Sequence, residues 1–591
     1  MPKSQTPGAE PTPGRTAAAG QPDRPAILRR LSTGISRQWH KYNRVGLLIG
    51  VLFFCLAQTP SLIPRDGLYQ ALLTGIAVAI GYAVGVVGAW LYRKLGFAVT
   101  WSHATRRRFT IAVLALAVLS IPASLIAGEY WQRQLRALFG IESGPPLRLI
   151  MVLSVAFVIT VLLIQVGRGL AWIVRWLTGV FDRFVPLPVS RTLAFAVVAV
   201  LTVLTVNGAI VDGTLSLLRS VYGQVDTTTD EGVTAPTAAE RSGSPASLVK
   251  WDDLGRQGRN FVAGGPTLEQ LQEFASSTTA LKDRTVMEPI RVYAGLRSAA
   301  SPDQLASQVV DELDRTGAWD REVLAVATAT GTGWIDPSFS MALEYQHAGN
   351  SAIATMQYSF LPSWIGFVSD RQTPLAAGKA LFDAVYEKWS SLDEDSRPYL
   401  LVYGLSLGSY GAQSAFSGQQ DLAARTDGAL FMGTPNFTAL WGDLTNQRDR
   451  GSLEYSPVLD DGAQVRWLTQ TTPADTLWRL QDEWAPQRTV YAQHASDAVV
   501  WWSPDLAWNK PDWLSEPAGP DRSTSMHWIP LVTFWQVSFD LFVAGDVPIG
   551  HGHAYHLEYP IALEALGAPA EWTSADTSAL VDLMRTIPSE N

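Results

Sequence analysis

Apolar residues are spread unevenly along this 591-residue chain. Between residues 45 and 211 they gather into five runs, Val45–Ile63, Ala71–Tyr92, Phe109–Ala127, Leu149–Val166 and Thr192–Val211. Each approaches the ~20 residues an α-helix needs to cross a bilayer, and the charged loops between them are unlike the interior of a soluble core. The pattern predicts five membrane-spanning helices, the first broken by Pro60. From about Val249 the pattern changes. Short continuous apolar runs over Ile290–Leu296, Val323–Thr328, Ala352–Ser359, Tyr399–Tyr403, Gly428–Met432 and Thr489–Ala492 alternate with helical periodicity over Pro302–Thr316, Ser338–Ala348 and Pro374–Leu392. Continuous apolar strands separated by amphipathic helices predict a mostly parallel sheet covered on both faces. The expected fold is an N-terminal all-α transmembrane bundle followed by a C-terminal α/β domain.

The polar stretches divide the chain further. No large apolar residue stands between Met1 and Ile27, so residues 1–44 read as a disordered basic tail that cannot bury enough surface to offset its ordering entropy. Residues 45–212 form the membrane region, 213–248 a juxtamembrane segment and a Thr/Ala/Ser/Pro-rich linker, and 249–591 the α/β domain. Charge sharpens the division. Residues 1–215 hold 21 Lys/Arg against 7 Asp/Glu, whereas the remainder holds 24 against 47. The acidic second half argues against nucleic acid as a partner, because phosphate binding needs concentrated Lys/Arg. The lone Cys55 excludes an intrachain disulfide and a cysteine-based metal cluster.

Basic residues cluster in alternate loops: Arg29 to Arg44 before the first run, Arg93 to Arg108, and Arg168 to Arg191. The intervening loops carry Arg65/Asp66 and the mixed segment Glu129–Arg148. By the positive-inside rule the N-terminus is cytoplasmic, and five spans place everything after Val211 on the outer face. Trp172, Ile173, Trp176 and Leu177, set among arginines, read as an interfacial amphipathic helix on the cytoplasmic side.

Candidate chemistry begins at Gly404-Leu405-Ser406-Leu407-Gly408. This G-x-S-x-G follows an apolar strand and opens a helix, the setting in which a serine occupies a tight strand-to-helix turn. A serine is inert without a base and a group that orients the base. Past the strand Thr489–Ala492 stands Asp497, which is also placed to cap the helix Ala498–Trp502. Near the C-terminus, His551 and His553 flank Gly552, and either fits as the base. Serine, acid and histidine then follow in the order of an α/β-hydrolase triad. One oxyanion donor is the Leu407 N–H, and the second is expected from Gly331 or Thr332 in the turn Ala329–Trp334.

The chain resembles a bacterial family of membrane-anchored α/β-hydrolase-like proteins with a multi-span hydrophobic N-terminal region. The resemblance rests on Thr59-Pro-Ser-Leu-Ile-Pro-Arg65, Leu254–Val262, Ala329–Trp334, Gly404–Gly408, Ser496-Asp497 and Gly550–His553. It implies an α/β-hydrolase-type, mostly parallel sheet and a membrane-anchored serine hydrolase, without fixing a substrate. The segment before His551, Trp528–Val543, reads as a helix as easily as the eighth strand that such a sheet would carry. Three functions are open: a serine hydrolase or acyltransferase, metal-assisted hydrolysis at His551, His553 and His556, and a catalytically silent scaffold. No cofactor site is read from the sequence. Sixteen of the 22 tryptophans lie after residue 216, among them Trp334, Trp441, Trp501 and Trp502 near the motifs. With the anchor, indoles beside the serine favour lipid or cell-envelope esters.

Overall fold

The structure, a computed structural model, describes residues 42–97, 102–142, 149–471, 477–480 and 483–588. The expected tail over residues 1–44 lies almost wholly outside them. The membrane region comprises α1 (Arg44–Leu56), α2 (Gly67–Lys94), α3 (His103–Leu138), α4 (Leu149–Phe181) and α5 (Leu187–Leu204). Helix α4 runs on through the expected interfacial stretch around Trp172, which is its last turns rather than a separate element. After α5 the helix loosens over Thr205–Asp212 and continues to Val225. Among the described residues, four helical stretches, α2, α3, α4 and Leu187–Val225, are long and apolar enough to cross a membrane.

The expected first span is the exception. Helix α1 has 13 residues, about 20 Å of rise. Pro60 and Pro64 cannot donate the N–H an α-helix interior requires, so the chain leaves the helix after Leu56. The second half of the run, Leu62 and Ile63, is instead buried in the core of the sheet domain. Helix α1 packs antiparallel along α2, with Gly46 beside Gly85 and Gly50 beside Val78. Glycines at these positions let the two backbones approach closely. Arg44 therefore lies toward the Lys94 end of α2, among the basic loops.

The sheet has seven strands, β1 (Ile290–Ala294), β2 (Val323–Thr328), β3 (Ser351–Met356), β4 (Tyr399–Leu405), β5 (Gly428–Met432), β6 (Val465–Leu468) and β7 (Arg488–Ala492). Every pairing is parallel, in the order β1-β3-β2-β4-β5-β7-β6. Apolar side chains of both faces are buried in two large clusters, as a sheet sandwiched between helices requires. Strand β6 is not legible as a strand in the sequence. It is four residues long and contains Arg466, whose guanidinium is accommodated by the carbonyls of Gly462 and Leu477. It holds the edge beside β7, and Trp528–Val543 contributes the helix Val532–Asp540 rather than an eighth strand.

The two regions are joined through one end of the bundle. Ser61 Oγ and the Leu62 N–H donate to the Asp540 carboxylate at 2.9 and 3.0 Å, and Gln536 Nε2 donates to Thr59 O at 2.9 Å. Phe139, just past α3, stacks on His551, and Arg297 donates to Gly223 O at 2.8 Å. The helix order puts all these contacts at the end opposite Arg93–Arg108 and Arg168–Arg191. The segment read as a linker is tied down as well. Arg241 pairs with Glu288 at 2.7 Å and donates to Val262 O, and Ser242 donates to Glu312 at 3.0 Å.

Candidate active site

The turn after β4 is built from crowding. Ser406 has φ 57° and ψ −126°, a conformation that costs a non-glycine residue on the order of 1–3 kcal/mol and persists only when its surroundings enforce it. Here the enforcement comes from the flanking glycines. A Cβ on Gly404 would press on the Gly408 backbone, and one on Gly408 would overlap Thr328 O. Only glycine permits β4, the following helix Leu407–Gln413 and the end of β2 to meet so closely. The Ser406 N–H donates to Met432 O at 3.0 Å, which ties the turn to β5. Leu407 opens the helix, so its N–H is among those without an intrahelical acceptor.

Asp497 serves two purposes at once. Its Oδ1 accepts from the Val499 N–H at 2.8 Å, capping the short helix after β7. Its Oδ2 meets His553 Nδ1 at 2.7 Å and accepts from Tyr555 Oη at 2.8 Å. His553 leaves its Nε2 buried without a hydrogen-bond partner. The imidazole lies directly over Gly433, where a Cβ would strike it. Gly433 follows Met432, the acceptor of the Ser406 N–H, so the ring and the serine turn share one piece of backbone.

The other two histidines are committed elsewhere. His551 stacks on Phe139, centroids 4.4 Å apart and planes inclined by 23°. Burial lowers its pKa, and the nearby His494 adds to the effect against Asp521. His556 Nδ1 meets Ser338 Oγ at 2.7 Å and its Nε2 meets Met584 O at 2.8 Å. The three rings therefore do not converge as metal ligands, and among the described residues no group of His, Cys, Asp and Glu is placed to hold a metal ion. Of the expected oxyanion donors in the turn after β2, Gly331 already donates its N–H to Ser363 Oγ at 2.9 Å. The backbone that touches the serine turn is Thr328–Ala329. The indoles also divide: Trp441 and Trp501 spend their N–H groups on Gln493 and on His494 O inside the core, and Trp502 packs against Phe367.

A support the sequence does not disclose lies beneath the histidine loop. His494 Nδ1 meets Gly552 O at 2.9 Å and Nε2 meets Glu558 Oε1 at 2.9 Å, while the Gly552 N–H donates to Ser496 Oγ at 2.8 Å. Ser496 in turn donates to Asp521. His494 and Glu558 stand within the very motifs that carry Asp497 and His553, but 64 residues apart, so their pairing has no local signature. Burial pulls the His494 pKa down, and Glu558, with Asp521 and the Gly552 carbonyl, outweighs it and raises the pKa from 6.5 to about 9. Burial pushes Glu558 up, and His494 outweighs it, so the carboxyl sits below its ordinary 4.5.

The sign of the linkage follows. The His494 contribution to stability is complete below pH 6.5 and is lost as pH rises through about 9. The Glu558 contribution is complete above 4.5 and is lost as pH falls through its lowered value. Wild-type protein should thus lose thermal stability as pH rises from 6.5 to about 9. Glu558→Gln, by breaking a buried pair, should cost about 3–5 kcal/mol near neutrality and remove that alkaline loss. Thermal midpoints with the same alkaline slope in both proteins would refute the coupling.

Residues 290–580 match the model of an alpha/beta-hydrolase family, and residues 58–266 match the model of an alpha/beta-hydrolase family N-terminus. Together the two span both regions described above. No curated protein and no solved structure matches the chain.

Proposed function

Because the chain belongs to this alpha/beta-hydrolase family, we propose that it is a membrane-anchored serine hydrolase acting on ester or acyl bonds of lipid or cell-envelope substrates. The observation that carries the reading is the His553–Asp497 pair, with the free His553 Nε2 held over the backbone that anchors the strained Ser406 turn. In this mechanism Ser406 Oγ attacks a carbonyl carbon and His553 Nε2 takes its proton. Asp497, itself fixed by Tyr555 and Val499, holds the imidazolium that forms. The Leu407 N–H meets the oxyanion, with a second donor from Gly331, whose N–H now meets Ser363 Oγ, or from Thr332. His553 then returns the proton to the leaving alcohol, and water resolves the acyl-enzyme.

A lipid substrate is supported by the apolar rim. The helix Ser363–Ser369 packs Gly366 against Leu407 and leaves Trp364 47% and Val368 68% exposed. Trp364 meets the half-exposed Phe542 edge-on at 5.5 Å, and Ile549 is exposed just before the histidine loop. Exposed apolar groups concentrated at one mouth suit an acyl chain or a bilayer surface. We place the sheet domain outside the cytoplasm, because it joins the bundle at the end opposite the basic loops.

One experiment tests orientation and chemistry together. A membrane-impermeant fluorophosphonate applied to intact cells should label the protein, with the adduct on the Ser406 peptide by mass spectrometry and with no change on adding a chelator. Labelling that requires permeabilised cells would reverse the orientation. No labelling in either state, or abolition by chelator, would overturn the serine mechanism.

A further inference from the structure

A second cavity, of about 290 Å3, opens at the same end of the sheet as Ser406, between the loops that follow β5 and β7. Its lining has no Lys or Arg. It is lined by the amides of Asn436, Asn446 and Asn509, by the half-buried Glu454 and by the buried Thr445. Trp441, Trp501 and Trp513 complete its wall. The volume is near the lower bound of ligand sites, roughly 300 Å3, and suits one small ring rather than a chain.

The chemistry of this lining is selective. An anion would meet Glu454 and Asp505 with no cation to receive it. An ammonium ion would satisfy the carboxylates but leave the amide N–H groups without acceptors. A hydroxyl group both donates and accepts, as an asparagine side chain does, and the C–H faces of a sugar ring suit indole surfaces. Thr445 is only 2% exposed, yet its Oγ1 has no hydrogen-bond partner. A buried hydroxyl left unpaired costs about 1–3 kcal/mol, which a hydroxyl-bearing ligand would recover. Glu454, raised to about 7 chiefly by burial, can present a protonated oxygen near neutrality and so donate as well as accept.

We propose that this cavity binds a neutral, hydroxyl-rich group, a sugar or cyclic polyol. Resting on the serine-hydrolase reading above, it receives the alcohol part of the substrate while the apolar rim receives the acyl part, so the substrate class is an acylated sugar or polyol. The two loops that form the cavity also carry Gly433, beneath His553, and Asp497, which sets the alcohol on the histidine side of the serine. That is where a leaving alcohol must collect its proton.

The test is calorimetric titration of the full-length Ser406→Ala protein in lipid nanodiscs, free of glycoside detergent. D-glucose, D-galactose, D-mannose and myo-inositol serve as probes, with choline and acetate as charged controls. At least one neutral probe should bind saturably, and neither control should bind. Asn446→Ala/Asn509→Ala, both at the exposed rim, and the near-isosteric Thr445→Val should each weaken that binding about tenfold, as loss of one or two hydrogen bonds implies. Absence of binding by all four polyols tighter than about 10 mM, preference for choline, or equal affinity in the variants would overturn the assignment. Failure here with normal fluorophosphonate labelling of wild type would leave the serine reading standing, and the converse would leave the sugar site standing.

Discussion

Ser406→Ala is expected to abolish fluorophosphonate labelling and to lower turnover of a short-chain aryl ester by about 10^4-fold or more, with the thermal midpoint held or raised. The size of the loss follows from how a triad works: without the nucleophile only binding and the oxyanion donors remain, and these supply a small part of the acceleration. The stability expectation has a separate origin. Ser406 is held at φ 57°, and the turn is defined by the packing of Gly404 and Gly408 rather than by the serine side chain. Alanine retains the Cβ and the backbone strain, so the fold should persist. Asp497→Asn should cost less than Ser406→Ala, because the nucleophile and the Val499 cap remain, although the amide NH2 would face His553 Nδ1 and favour the wrong imidazole tautomer. Undiminished turnover in Ser406→Ala would place the chemistry elsewhere.

What the sequence disclosed and what it hid divide along the range of the interactions. Six of the seven strands stand within a few residues of their expected positions, because continuous apolar runs flanked by helical periodicity are local signals. The Ser406 turn is local too: each glycine of Gly404–Gly408 answers a steric demand set within a few residues or by the adjoining strand. Strand β6 was hidden by Arg466, whose burial depends on carbonyls that only the folded chain brings to it. The first apolar run misled for a related reason. Hydropathy cannot tell a side chain buried in lipid from one buried in protein, and Leu62 and Ile63 are of the second kind. The Thr/Ala/Ser/Pro-rich linker likewise carries long-range contacts that its composition does not show: Arg241, 7% exposed, and Ser242 dock on carboxylates 47 and 70 residues away. The His494–Glu558 support belongs to the same class of long-range polar pairing.

His553→Ala should match Ser406→Ala in lost turnover, whereas His551→Ala should retain activity within about tenfold of wild type. Sequence order left both histidines open, since each adjoins Gly552. The proposal of His553 rests on what each ring touches. His553 gives Nδ1 to Asp497 and keeps Nε2 unpaired, the arrangement a general base requires. His551 also has an unpaired ring nitrogen, Nδ1, but it stacks on Phe139 while Asp497 meets His553, so its removal is expected to cost aromatic packing, about 0.5–1.5 kcal/mol, and to leave the Asp497–His553 pair in place. Because Ile63 and Phe139 both approach this loop from the anchor, Phe139→Ala should reproduce the mild His551→Ala phenotype rather than the His553→Ala one. Thermal midpoints of all three variants would show that each is folded, and the lost activity of His553→Ala should appear in kcat rather than in KM, since the base acts in the transition state. An inactive His551→Ala beside an active His553→Ala would reverse the assignment and leave the Asp497–His553 bond a structural tie alone.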